Sequence, residues 1–303
     1  MMRTQPTAPP GVTRHNLPVR AARRAAATTS NRARRVVKLA ASSVLFGLDS
    51  VAGVVRPSRR RGRSATGVVL MYHDVPERQR ARFARQCDAV VKLGRPTSLA
   101  DMHLADMQGS GDGWRVGVTF DDGFRSFADV ALPEMEARGI PSTLFVPTEW
   151  SLRSALITEP DGWPVPLTPT ELTALPPSVE LGSHSRNHVR LPELDDHQLH
   201  DELLGSREHL AEMCGRPVRY HAFPFGEHDA RVDLAARAAG YERCYGIVPT
   251  RVAATDEFVV GRVEVDPSDW PLEFRLKVLG AYRWMGWWIT ARDRARSKAP
   301  RGA

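Results

Sequence analysis

Between Gly67 and Val265 the chain repeats one pattern: a short, mostly apolar run, then a longer segment of helical spacing. The runs are ATGVVLMYHDV (65–75), VGVTF (116–120), STLFVP (142–147), VELGSH (179–184), VRYHAFPFG (218–226) and EFVVGRVEV (257–265). Helices are expected over Gln79–Leu93, over Phe124–Arg138 with Gly139 as its stop, and over Asp195–Met213 with a start signal at Asp195 and Asp196. Two more are expected over Asp229–Ala239, stopped by Gly240, and over Leu272–Arg292. A Pro-rich insertion (148–178) interrupts the series. Strands alternating with helices call for an α/β fold with a parallel sheet, either open or closed into a barrel. In both architectures chemistry collects at the carboxyl ends of the strands.

Those ends carry reactive side chains. His73 and Asp74 close the first run and Asp121 and Asp122 the second. His184 closes the fourth, with His188 just beyond it, and Arg262 and Asp266 lie at the end of the last. Singly these are weak signals, since adjacent acids before a glycine often cap a helix or make a turn. Together, two imidazoles and a carboxylate supply three protein ligands and leave a position for water, the layout of a catalytic metal site. A neighbouring carboxylate can then take a proton from a water whose pKa the cation has lowered toward about 7. His73 is available to protonate a leaving amine.

TFDDG (119–123), SHSRNH (183–188), FPFG (223–226) and VLMYHDV (69–75) resemble the polysaccharide deacetylases of the NodB type, carbohydrate esterase family 4. The likeness extends over about residues 67–280. It implies a distorted (β/α) barrel of about seven strands, with residues 67–272 as the catalytic domain. It implies Asp121 as general base and Asp122, His184 and His188 as ligands of one divalent ion, usually zinc, with cobalt or nickel as substitutes. Phe223, Pro224, Phe225 and Gly226 would shape the substrate groove, their backbone N–H groups helping to hold an oxyanion. The implied reaction is hydrolysis of the acetamide of an N-acetylated amino sugar in a polysaccharide or glycan precursor. Two other readings stand beside it: a deacetylase or deformylase of a polyprenyl-linked amino sugar, and an inactive glycan-binding module.

Many members carry their acid histidine in a Leu-x-His motif near the C-terminus, but here no histidine follows His228. The subgroup that resembles exopolysaccharide poly-N-acetylglucosamine deacetylases carries it early, in a Tyr-His-x-Val setting that MYHDV (71–75) matches, so His73 is the implied acid. Arg262 is read either as orienting Asp121 through a charge-assisted hydrogen bond or as an ordinary ion pair at the barrel rim. DPSDW (266–270) spells a motif of some members, and its Asp266 and Trp270 are left open between function and accident.

Charge separates the termini from this middle. Of the net +7, residues 1–66 hold +13 and residues 290–303 hold +4, so 67–289 carries −10. Basic tails on an acidic domain suit an anionic membrane surface better than nucleic acid. Residues 1–66 are expected to be a largely disordered tail with an apolar helix at about 36–55, interrupted by Lys38 and Asp49. That helix reads first as lying on a membrane surface, second as a twin-arginine signal and third as a true span. Residues 273–303 read as a Trp-rich amphipathic helix with a basic tail, pairing Trp284, Trp287 and Trp288 with Arg and Lys. The expectation is a peripheral membrane enzyme, on the cytoplasmic face rather than secreted. Three scattered cysteines, Cys87, Cys214 and Cys244, make no disulfide framework.

Overall fold

The computed structural model describes residues 35–44, 46–47, 67–108, 113–153, 164–250 and 257–286. Nine strands form one sheet: β1 (Gly67–Tyr72), β2 (Arg95–Pro96), β3 (Arg115–Phe120), β4 (Ser142–Val146), β5 (Val179–Ser183), β6 (Tyr220–Ala222), β7 (Arg243–Gly246), β8 (Val259–Gly261) and β9 (Val263–Glu264). Every pairing is parallel. The order is β8-β7-β6-β5-β4-β3-β1-β9, with β2 beside β3. β8 and β9 are opposite ends of that order, yet only Arg262 separates them in the chain. The backbone itself therefore bridges the gap, and the sheet is nearly closed into a distorted (β/α) barrel.

Strand side chains alternate between two cores. Val68, Leu70, Tyr72, Val118, Phe120 and Leu144 join the larger core, which includes Phe83, Phe127 and Leu210 of the surrounding helices. Val69, Phe145, Tyr220, Ala222, Tyr245 and Val260 form a second cluster with Leu99 and Met102, on the inner face of the barrel. Gly182 is needed there, because a Cβ at that position would lie 2.5 Å from the Phe145 ring. Helix Arg80–Leu93 shows how the covering layer forms: Phe83, Cys87 and Val90 fall on one face and are buried.

The differences from the sequence reading have local causes. The single strand expected over 257–265 is split by Arg262 into β8 and β9. β7, with the sequence RCYG, is too short and too polar at its start to announce itself. Helix Leu99–Gln108 was not expected from the sequence. The helix expected over Asp195–Met213 has a five-residue π turn, Asp201–Gly205, between Asp196–His200 and Ser206–Cys214. The helix expected over Leu272–Arg292 is broken: Pro271–Val278 stops before Gly280, which takes a left-handed conformation (φ 68°), a 3-10 turn spans Ala281–Arg283 and helix resumes over 284–286, the rest of the expected helix lying outside the described residues. Residues 287–303 lie outside the described residues, as does most of the N-terminal tail, where a helix spans 35–44. Among the described residues no helix is long and apolar enough to cross a membrane.

Candidate active site

Because all strands run the same way, β1, β3, β5, β6 and the β8–β9 junction deliver His73, Asp121 and Asp122, His184 and His188, the Phe223–Gly226 turn and Arg262 to one end of the barrel. Asp121, Asp122, His184, His188 and Arg262 are all buried. Backbone strain concentrates among them. Among the described residues, Asp122 (φ 73°), Ser185 (φ 64°), His188 (φ 55°) and Phe225 (φ 59°) are the non-glycine residues with positive φ. Such conformations persist only where surrounding contacts over-determine them.

Asp122, His184 and His188 bring one ligand atom each within 4.8 Å of one another. Asp122 Oδ1 lies 3.4 Å from His188 Nε2 and 3.7 Å from His184 Nε2. The His184 tautomer follows from its other nitrogen: Nδ1 is 2.6 Å from the carbonyl of Ala222, which can only accept, so Nδ1 carries the proton and Nε2 presents a lone pair. Burial pushes the His188 pKa down to about 4, with Asp122 pulling the other way, so this imidazole is neutral at neutral pH. Asp122 Oδ1 and His188 Nδ1 are buried and have no hydrogen-bond partner. A carboxylate oxygen facing imidazole nitrogens with no donor of its own is the environment a divalent cation satisfies, and the N, N, O donor set suits zinc and its neighbours.

Asp121 is held differently. Arg262 grips it with two parallel bonds, Nη1 to Oδ1 at 2.6 Å and Nη2 to Oδ2 at 2.8 Å. The guanidinium is itself fixed by the Thr119 hydroxyl (3.2 Å) and the Gly246 carbonyl (3.3 Å), over the Phe145 ring. Burial alone would raise the Asp121 pKa, but Arg262, His184 and His73 together hold it well below the usual carboxylate range. Its Oδ2 is 3.9 Å from His184 Nε2, so the clamped carboxylate borders the Asp–His–His cluster. His73 is half-buried at the end of β1 and close enough for its charge to act on both Asp121 and His188. Its neighbour Asp74 accepts a 2.6 Å bond from Ser126.

The Phe223–Gly226 turn does less than its sequence suggests. Phe223 is buried and stacks on His228, and Pro224 is buried. Phe223 N–H donates to Tyr245 O and Gly226 N–H to Phe223 O, while proline has no N–H. Within the turn this leaves the Phe225 N–H outside these bonds and the Phe225 ring exposed. That ring lies 4.7 Å from the His188 ring and under the Arg190 guanidinium. Trp150 covers His188 from another side, with ring centroids 5.0 Å apart. Sequence reading passed over Trp150 within the insertion, although its place just after β4 was the available signal. The strap Val165–Leu167 bonds back to Gly123 and Arg125 beside the Asp pair. Within DPSDW, Asp269 pairs with Lys277 at 2.6 Å, and Asp266 accepts the N–H of Ser268 at 2.8 Å.

A nearly closed parallel barrel thus carries, at its strand ends, a clamped carboxylate beside an Asp–His–His cluster able to hold a metal ion. Residues 108–244 match the family model for polysaccharide deacetylase. Among solved structures, the Streptococcus pyogenes deacetylase PplD in complex with acetate matches at 18% identity and TM-score 0.60, over 70% of this chain and 97% of that one. IcaB from Ammonifex degensii matches at 23% identity and TM-score 0.60, over 73% of this chain and 97% of its own. The BpsB deacetylase domain from Bordetella bronchiseptica matches at 22% identity and TM-score 0.55, over 67% and 96%. No curated protein matches the chain. Residues 108–244 thus carry a polysaccharide deacetylase match, and the chain shares the fold of these deacetylase structures.

Proposed function

We propose that this protein is a metal-dependent N-deacetylase of N-acetylated amino sugars in a polysaccharide. The observation that carries the metal dependence is the orphaned, buried Asp122 Oδ1 between two imidazoles, one of them fixed with its Nε2 lone pair inward. A divalent cation, zinc in this reading, would be held by Asp122, His184 and His188 and would supply an acidified nucleophile and a polarised acyl oxygen.

The chain's own residues do the rest. Asp121 stays ionised because Arg262 donates to both its oxygens, and it accepts the proton of the attacking water. Its low pKa makes it a poor place to keep that proton. His73 protonates the departing amine. The Phe225 N–H faces the developing oxyanion, and the Phe225 and Trp150 rings offer apolar walls to a sugar. Release of acid tests the reading: the zinc- or cobalt-loaded full chain is given N-acetylglucosamine oligomers, and acetate and formate are quantified against the Asp121→Asn protein. Acetate above that baseline supports the reading. Formate alone, from a formylated substrate, would redirect it to deformylation. Metal binding with no acid from soluble or lipid-linked amino sugars would leave a glycan-binding module.

A further inference from the structure

We infer that the π turn Asp201–Gly205 is the support that positions the metal-ligand loop 183–188, with Glu202 as its positioning residue; this rests on reading Asp122, His184 and His188 as the metal site. The turn reaches the loop by three routes. First, the buried Glu202 carboxylate accepts the N–H of Arg186 (2.8 Å) and of Asn187 (3.0 Å) on Oε2 and the Asn187 side-chain amide (2.7 Å) on Oε1. Second, Asp201 receives the Arg186 guanidinium at 2.7 and 2.9 Å, and Glu149 receives its other nitrogen at 2.9 Å. Third, the Leu203 carbonyl accepts the hydroxyls of Ser206 (3.0 Å) and Tyr241 (2.8 Å). Ser206 Oγ lies 2.7 Å from Ser183 Oγ, which accepts the Ser185 N–H, and Ser185 Oγ accepts the His188 N–H at 3.0 Å.

A regular helix would not present these groups together. A π turn shifts the hydrogen-bond register by one residue, freeing a carbonyl and turning a side chain to a new face. Here the Leu203 carbonyl accepts the Ser206 N–H and still takes the two hydroxyls, and the side chain turned to the loop is Glu202's. One buried carboxylate holding successive N–H groups fixes the backbone between the two histidines. That fixation is what Ser185 and His188 require, since both sit at positive φ inside a six-residue loop. Each metal-binding imidazole is thus aimed by a backbone that the turn holds.

The test is Co²⁺ titration of the metal-free full chain, followed by visible absorbance, beside thermal unfolding of the metal-free protein. Glu202→Gln keeps the shape and removes the charge and one acceptor, and its Co²⁺ dissociation constant should rise about 10- to 100-fold with an altered band. Asn187→Ala removes one of the three bonds and should raise it less; it carries the test if Glu202→Gln does not fold. Glu273→Gln alters another buried carboxylate, one that pairs with Lys277 and not with the 183–188 loop, and should change unfolding without changing Co²⁺ affinity. Parental affinity and band in both loop variants overturns the inference, as does an equal loss in Glu273→Gln. A parent chain that binds no Co²⁺ overturns the metal reading itself, a separate and recognisable outcome.

Discussion

Asp121 and Glu180 are both shielded carboxylates on the barrel strands, and their acidities move in opposite directions. Glu180 lies on the same face of β5 as Gly182 and His184, four residues before the latter, toward the other end of the barrel. Burial raises its pKa to about 7, against a hydrogen bond from the Thr143 hydroxyl (3.2 Å) and the more distant charge of Arg219. Among the described residues it has no salt bridge. Asp121 is more deeply buried, yet Arg262 holds it ionised. Burial does not decide what a carboxylate does. The guanidinium that closes the barrel does, and it comes to one end only.

The largest effects should fall on that end. His184→Ala should abolish both Co²⁺ binding and acid release. Asp121→Asn should lower kcat by about 10²- to 10⁴-fold while leaving Co²⁺ affinity near the parental value; near-parental turnover would remove Asp121 from the base role. Arg262→Met would make Asp121 resemble Glu180. It leaves a buried charge without its partner, at a cost of about 3–5 kcal/mol in stability. With the guanidinium gone, burial dominates and the Asp121 pKa rises, so the acid limb of the kcat/KM profile should move to higher pH. An acid limb that stays in place would mean that Arg262 does not set the ionisation of Asp121. A smaller effect is expected of Phe225→Ala, whose loss of an exposed ring should raise KM by about 2- to 10-fold with little change in kcat.

What the sequence made legible follows from how local each feature is. SHSRNH puts two imidazoles in one loop and TFDDG puts two acids on one strand end, so the ingredients of a metal site are visible as short strings. Strand and helix alternation was equally plain, and the α/β barrel is the fold observed. The Asp121–Arg262 clamp spans 141 residues and exists only because β8 and β9 meet at opposite edges of one sheet. No string contains that closure, and the sequence left Arg262 open between a clamp and a rim ion pair. Glu202 was invisible for another reason. Within an apparently regular helical pattern nothing announces a π turn, and a glutamate there reads as solvent-facing. Trp150 was lost to the Pro content of the segment around it. The family match, 108–244, likewise covers the local strings and leaves out both His73 and Arg262.

The smallest expected effect probes the other end of the barrel. Glu180 has a folded-state pKa of about 7 against an ordinary value of 4.5. Between those values the folded protein holds a proton that the unfolded chain has released. The unfolded state then binds fewer protons, so stability falls as pH rises through that window and levels off above it. Glu180→Gln keeps the bond with Thr143 and carries no charge to desolvate, so its melting temperature should lose that part of the decline between about pH 5 and pH 8. Turnover should be unchanged, because Glu180 touches neither the Asp–His–His cluster nor Arg262. Parallel melting curves for parent and variant across that range would mean that Glu180 is solvated in the folded protein. A variant that loses turnover would mean that the two ends of the barrel are coupled, and the contrast between its two carboxylates would then be one of degree.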